Sequence, residues 1–191
     1  MREYFELHGF LVRQQRKHIA RGSDEDEEID FLVLNPQLQA DDRVLPFVLN
    51  PSDLVRIPRA IVAVKGWHTE TFSPARLIKE PDIMRFAEPR FLKSAMQFLG
   101  GAGPVMKILV LPTLPQTDEL REQSIALLRS KGIDAAIPFG TILAELISAV
   151  EVNRNYQKSD LLQLIRILKK YDFFKESQLE LFKPKRARAH K

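Results

Sequence analysis

Two charged residues interrupt apolar segments that are typical of buried strands. Asp30 lies inside the run IDFLVL at 29–34, and Lys65 ends the run AIVAVK at 60–65. A buried charge is costly unless it is paired, hydrogen-bonded or bound to a metal. If both face one cleft, Asp30 could act as a metal ligand or base, and Lys65 could stabilise a developing oxyanion or phosphorane. A plain salt bridge, or exposure at two strand ends, is the alternative.

The residues after Lys65 add two groups that could take part in chemistry or binding. His68 could act as a base or contact a phosphate, and Trp67 could stack on a nucleic-acid base. A polar surface position for His68 and core packing for Trp67 are the alternatives.

Hydrophobic periodicity and capping residues predict the elements that must position these groups. Three consecutive strands can form an antiparallel meander, and strand, helix, strand over 60–111 fits a right-handed crossover to a parallel neighbour. The sequence therefore predicts an α/β fold with a mixed sheet of about five strands flanked by helices, with extra helices at the C-terminus. The predicted strands are 10–19, 29–34, 60–66, 107–111 and 134–139, and the predicted helices are 2–8, one capped by Ser73, 89–99, 118–132, 142–150 and one capped by Ser159.

A length of 191 residues favours one domain, predicted over 1–182. The absence of cysteine excludes a disulfide framework, a thiolate zinc site and a cysteine nucleophile. Neither a secretory signal nor an apolar run of about 20 residues is apparent. We therefore expect a cytoplasmic protein without a membrane partner.

The net charge of +4 is unevenly distributed along the chain. Residues 183–191 hold five basic residues and no acid, which leaves 24 basic against 25 acidic residues in 1–182. The segment 183–191 is therefore predicted to be a basic, disordered tail. It could grip nucleic acid through Lys185 and Arg186, or it could serve only as a solubilising end.

The order of these elements, together with their short motifs, resembles the PD-(D/E)XK nuclease superfamily. That superfamily has the restriction-endonuclease-like fold and includes archaeal Holliday-junction resolvases. The matching features lie over roughly 2–111 and follow one another along the chain. They are a helix, a Gly-Phe pair, a strand, a second strand with Glu28-Ile29-Asp30, a third strand with Ala63-Val64-Lys65, a helix and a further strand. The resemblance implies a nuclease-like core over about 2–111, followed by an extension over 112–182. It also implies magnesium-dependent cleavage of DNA. Asp30 would bind the metal, and Lys65 would position or activate the attacking water.

The sequence departs from the family at the first acid of the D/E-x-K motif, which is Ala63 here. A hard cation needs oxygen ligands, so another carboxylate must replace that acid or the site is inactive. The candidates are Glu28, predicted to share a strand face with Asp30, Glu6 on the first helix, where family members often add a glutamate, and Glu70 after Lys65. Each could instead be a solvated surface acid.

Basic residues on the first hairpin could follow a phosphate backbone beside this cleft. An acidic segment at 24–28 would oppose them, so a hairpin with internal charge pairing is the alternative. The hairpin residues predicted to bind nucleic acid are Arg13, Arg16, Lys17 and Arg21.

The sequence therefore predicts a DNA nuclease that uses Mg²⁺ or Mn²⁺. The alternative is a catalytically degenerate protein of the same fold, retained as a DNA-binding or protein-assembly module. Apolar stripes on the last two helices would also suit a homodimer.

Overall fold

The computed structural model describes residues 1–15, 28–38, 44–66, 70–100 and 103–174. In those ranges it contains five strands and six α-helices, with two 3₁₀ helices at Pro51–Arg56 and Pro81–Ala87. The strands are β1 (Leu11–Gln14), β2 (Phe31–Leu34), β3 (Arg59–Val64), β4 (Met106–Leu111) and β5 (Ala135–Pro138). The helices are α1 (Arg2–Leu7), α2 (Pro74–Lys79), α3 (Pro89–Leu99), α4 (Asp118–Ser130), α5 (Phe139–Ala149) and α6 (Asp160–Lys170).

All five strands form one sheet in the order β1-β2-β3-β4-β5. The pairs β1–β2 and β2–β3 are antiparallel, and β3–β4 and β4–β5 are parallel. The predicted meander, the parallel crossover and the mixed five-stranded sheet are confirmed. Strand β5 belongs to this sheet although its sequence lies in the predicted extension.

The middle of the sheet is buried on both faces, as the continuous apolar runs predict. Residues 59–63 of β3 and 108–111 of β4 are all buried. On one face, Leu32, Ile61 and Leu109 pack into an apolar core with Phe72, Phe86 and other side chains from the chain between β3 and β5. This packing holds β3 in the centre of the sheet, and its C-terminal end leads directly to Lys65.

Local sequence signals account for the helix ends. The hydroxyl of Ser73 accepts a hydrogen bond from the N–H of Arg76 at the start of α2, and Ser159 accepts from the N–H of Leu162 at the start of α6. Gly100 ends α3 with φ of 61°, a conformation that favours glycine. These three predicted boundaries are confirmed.

The first hairpin differs from its prediction. Strand β1 covers Leu11–Gln14 and leaves out positions 10 and 15, whereas 16–19 of the predicted strand lie outside the described residues. Strand β2 begins at Phe31 rather than at position 29. Glu28 and Asp30 therefore precede β2, and strict alternation of side chains does not extend to them. The connection over 36–58 contains the 3₁₀ helix Pro51–Arg56 and a short parallel bridge from Val48 to Ala136.

The chain divides into two compact units, 1–145 and 146–191. Within the second unit, Lys169 Nζ donates to the carbonyl oxygens of Ile147 and Val150, at 2.8 and 2.6 Å. The predicted single domain stays a prediction, and the tail at 183–191 lies outside the described residues. A helix with the length and apolar character needed to cross a bilayer does not occur in the described ranges.

A small cluster of titratable residues lies against α1, inside the first unit. Tyr4 is fully buried, and His8 Nε2 lies 3.9 Å from Glu145 Oε1. Burial raises the pKa of Tyr4 above its usual range, and the negative charges of Glu145 and Asp53 add to that rise. Burial lowers the pKa of His8, and Glu145 opposes part of that effect.

We expect His8 to make the protein less stable in mild acid. Because its pKa is lower in the folded chain than its ordinary value of 6.5, the unfolded chain binds the proton more readily. The contribution of neutral His8 to stability is complete above pH 6.5. It is lost as the pH falls through the pKa that His8 has in the folded chain. The free energy of urea unfolding at pH 8 and pH 5 should therefore differ more for the wild type than for His8→Gln. Parallel pH profiles for the two proteins would contradict this assignment.

Candidate functional site

A β-bulge at Asp30 shapes the end of β2 that lies beside β3. Phe31 is paired in register with Val62, and the N–H of Asp30 also donates to the carbonyl oxygen of Val62, at 2.9 Å. Two residues of one strand thus stand opposite one residue of the other, which defines a bulge. On its other side, the carbonyl oxygen of Asp30 accepts from the N–H of Gln15, so the pairing with β1 continues through Asp30.

The bulge turns the Asp30 carboxylate toward the backbone of β3. Asp30 Oδ2 accepts a hydrogen bond from the N–H of Val64 at 2.7 Å. If the regular register continued, Val64 would pair with residue 29, so the carboxylate replaces a backbone partner that the bulge displaces. This contact accounts for a carboxylate in an apolar segment, and it also places Asp30 next to the backbone of Lys65.

Lys65 meets a carboxylate from the segment that precedes the bulge. Its Nζ lies 3.3 Å from Glu28 Oε2, and both side chains are mostly buried, with exposed fractions of 18% and 17%. The second oxygen of Glu28 lies 3.5 Å from Arg85 Nη1, and Arg85 also lies 3.7 Å from Asp82. Glu28 therefore bridges a lysine from the end of β3 and an arginine from the 3₁₀ helix Pro81–Ala87.

The alanine in the D/E-x-K position is part of the core. Ala63 is fully buried and packs in the same apolar cluster as Ile61 and Leu109. A carboxylate at this position would enter an apolar environment. Among the described residues, Glu28 is an acid that contacts Lys65, and Asp30 bonds to the neighbouring Val64.

The other two acids proposed as substitutes have arginine partners in their own neighbourhoods. Glu6 forms an i,i+4 salt bridge with Arg2 on α1, at 2.6 Å. Glu70 lies 3.8 Å from Arg76 of α2, and Arg76 also contacts Glu80 at 2.9 Å. Of the three candidates, Glu28 is the one that the structure brings to Lys65.

Several predicted site residues lie outside the described part of the chain. Arg13 is described, and its guanidinium carbon lies 3.9 Å from the ring centroid of Phe98 on α3. Whether Arg13 binds nucleic acid stays a prediction. The residues outside the described ranges are His68 and its neighbour Trp67, Arg16, Lys17, Arg21, Lys185 and Arg186.

The donor set can be compared with what Mg²⁺ requires. No group of three or more acidic or histidine side chains suited to a metal ion occurs among the described residues. Mg²⁺ often uses only one or two protein carboxylates and completes its shell with water and substrate phosphate. Asp30 and Glu28 could meet that smaller requirement, provided that Glu28 exchanges a cationic neighbour for the metal.

Comparison of the chain with protein-family models, with curated proteins and with solved structures finds no match. The resemblance to the PD-(D/E)XK superfamily therefore depends on the sequence motifs and stays a prediction.

Sequence reasoning missed one member of this cluster, Arg85. A signal was present, because Arg85 is a charged residue between the buried side chains of Met84 and Phe86. The same pattern, a charge inside an apolar run, had identified Asp30 and Lys65. Its pairing with Glu28 across 57 positions required the tertiary structure.

We expect Asp30→Ala to destabilise the protein by about 1–3 kcal/mol, because the N–H of Val64 would lose its acceptor in a mostly buried position. Asp30→Asn keeps an oxygen that can accept this bond and should cost clearly less. Urea unfolding of both variants measures the difference. Equal losses of stability would show that the carboxylate charge, rather than the hydrogen bond, matters for folding.

We also expect Glu28 and Lys65 to be energetically coupled. A double-mutant cycle of Glu28→Gln and Lys65→Met, followed by urea unfolding, should give a coupling free energy of about 0.5–1 kcal/mol. Glu119→Gln on the exposed start of α4 is a matched control that should show no coupling to Lys65→Met. A coupling of zero for Glu28 would contradict the contact.

Proposed function

We propose that this chain has a restriction-endonuclease-like fold and hydrolyses phosphodiester bonds in DNA with a divalent metal ion. The meander followed by a parallel crossover supports the fold, because it places the two motif strands side by side. The placement of the charged residues at the end of those strands supports the activity.

The observation that carries the proposal is the Glu28–Lys65 contact of 3.3 Å beside the Asp30–Val64 hydrogen bond. Glu28 contacts the ammonium group of Lys65 just after β3, and Asp30 bonds to the backbone of the neighbouring Val64. The family motif has two acids and a lysine at the corresponding place. Glu28 would thus supply the carboxylate that Ala63 lacks, from the neighbouring strand segment rather than from β3 itself.

These residues would have distinct roles. Asp30 and Glu28 would hold Mg²⁺ or Mn²⁺, which when bound would polarise the phosphate and favour ionisation of water. Lys65 would offset negative charge on the phosphate as it increases in the transition state. Arg85, 41% exposed, would keep Glu28 oriented before metal binding and could then turn to a neighbouring phosphate. The predicted homodimer stays a prediction.

A second function is favoured by a different aspect of the same contacts. Both oxygens of Glu28 face cationic groups, and one oxygen of Asp30 is used by the backbone of β3. This arrangement would also suit a catalytically degenerate protein, in which the cluster only stabilises the sheet. The chain would then serve as a DNA-binding or protein-assembly module.

DNA cleavage in the presence of Mg²⁺ or Mn²⁺ distinguishes the two functions. Under the nuclease proposal, Asp30→Asn, Glu28→Gln and Lys65→Ala should each reduce the cleavage rate on the order of 100-fold. Asp30→Asn is preferred to Asp30→Ala because it retains an acceptor for Val64. The matched controls Glu6→Gln and Glu119→Gln should cleave at the wild-type rate.

Two outcomes would contradict the nuclease proposal. Equal cleavage by the wild type and all three site variants would place the activity elsewhere or in a contaminant. No cleavage by the wild type on single-stranded, duplex or branched DNA, with either metal, would favour the degenerate protein. Urea unfolding of each variant checks that a loss of activity is not a loss of folding.

A further inference from the structure

The two outer edges of the sheet differ in their backbone hydrogen bonds within the described part of the chain. At the β5 edge, Ala136 exchanges backbone hydrogen bonds with the segment 47–49: its N–H donates to Phe47 at 2.7 Å, and its carbonyl accepts from Leu49 at 2.9 Å. At the β1 edge, Gln15 donates to Asp30 of the β2 segment. Backbone groups alternate in direction along a strand, so the N–H and C=O of Val12 and Gln14 point outward. Those groups have no partner within the described ranges.

An apolar groove lies beside this edge. Leu11 and Arg13 are opposite Leu34 and Leu32 in the register, so these four side chains share one face of the sheet. Phe98 from the end of α3 completes the groove on that face. Leu11 and Phe98 are 61% and 52% exposed, which is high for large apolar side chains.

Arg13 adds a positive charge to the groove. Its guanidinium group lies over the ring of Phe98, and it has no acidic partner among the residues that the structure describes. The cation–π contact fixes the position of the charge without neutralising it. The groove therefore combines apolar walls, a fixed cation and a row of outward backbone hydrogen-bonding groups.

We propose that the outer edge of β1 binds an extended segment of a partner protein, which adds a sixth strand to the sheet. Its backbone would pair with Val12 and Gln14, an apolar side chain would contact Leu11, and a carboxylate would pair with Arg13. Backbone pairing supplies affinity in this mode of recognition, and the alternate side chains supply specificity. The proposal does not depend on the nuclease activity, since none of these residues lies in the Asp30–Lys65 cluster.

Charge complementarity favours such a partner over a second copy of this chain. A two-fold antiparallel pairing of β1 with itself that used both Val12 and Gln14 would pair Val12 with Gln14 of the second copy. Arg13 would then stand directly opposite the Arg13 of that copy. Like charges directly opposite each other destabilise a strand pair. An acidic residue at that place would instead be attracted.

The experiment uses the full chain and an eight-residue synthetic peptide with two repeats of valine, threonine, glutamate and threonine. On one face of the extended peptide, valine alternates with glutamate. A control peptide has lysine in place of glutamate. Fluorescence anisotropy of labelled peptides measures affinity, and amide hydrogen exchange followed by NMR reports protection at Val12 and Gln14. The glutamate peptide should bind more tightly than the lysine peptide and should protect both amides.

Two variants test the mode of binding. Val12→Pro removes an outward N–H without removing a bond to β2, so it should abolish binding while the chain stays folded. Arg13→Glu should weaken the glutamate peptide about fivefold and reverse the preference between the two peptides. Lys131→Glu, an exposed charge change after α4, is the matched control and should bind like the wild type.

Four outcomes would overturn the proposal. They are unchanged binding by Val12→Pro, equal affinity for the two peptides, absence of protection at Val12 and Gln14, and protection of these amides in the protein alone as its concentration rises. The last outcome would indicate pairing with a second copy. An oligothymidylate is a further probe. If it binds more tightly than the glutamate peptide, and if Phe98→Ala loses that binding, the groove would be assigned to single-stranded nucleic acid and the proposal would also be overturned.

Discussion

The structure of the site depends on one requirement, that the buried central strand β3 must satisfy its backbone hydrogen-bonding groups up to its last residue. Strand β2 provides partners along most of β3, but the bulge at Asp30 removes the regular partner of Val64. The Asp30 carboxylate accepts that N–H instead. Because leaving a buried N–H unpaired is costly, the polar side chain stabilises the fold. The same bulge lies between Glu28, which contacts Lys65, and the regular part of β2.

The end of β3 also brings charges of both signs together. Glu28 and Asp30 bring two negative charges to the end of β3, and Lys65 and Arg85 bring two positive charges. The opposite charges offset one another, which lowers the cost of burying most of Glu28 and Lys65. A divalent cation would have to compete with Lys65 and Arg85 for Glu28, so metal binding and the orientation of the two basic side chains would be linked. A substrate phosphate could compensate, because it would offer the displaced cations a new negative partner.

Within the part of the chain that the structure describes, the two edges of the sheet have different surroundings. Segment 47–49 covers β5, whereas β1 presents outward backbone groups next to exposed apolar side chains. An uncovered edge carries a risk of unwanted strand pairing, which short length and a nearby charge reduce. Strand β1 has four residues and includes Arg13, so it has both protective features. The same features would make it selective for a partner that carries a complementary charge.

The sequence by itself determined the presence of the five strands, because strands depend on local periodicity. It determined most of the helix ends through capping residues such as Ser73 and Ser159. It also identified the two anomalous charges, because a charge inside an apolar run is rare. It predicted the antiparallel and parallel pairings from the order of elements. Only the tertiary structure decided that Glu28 rather than Glu6 or Glu70 reaches Lys65, that Arg85 joins them, and that Asp30 bonds to the backbone of β3. These contacts link positions 34 to 57 residues apart, and a single inserted residue at a bulge changes which side chains meet. Local sequence patterns carry no information about long-range contacts or about the position of a bulge. The identity of the charged partners therefore depends on how the strands pack.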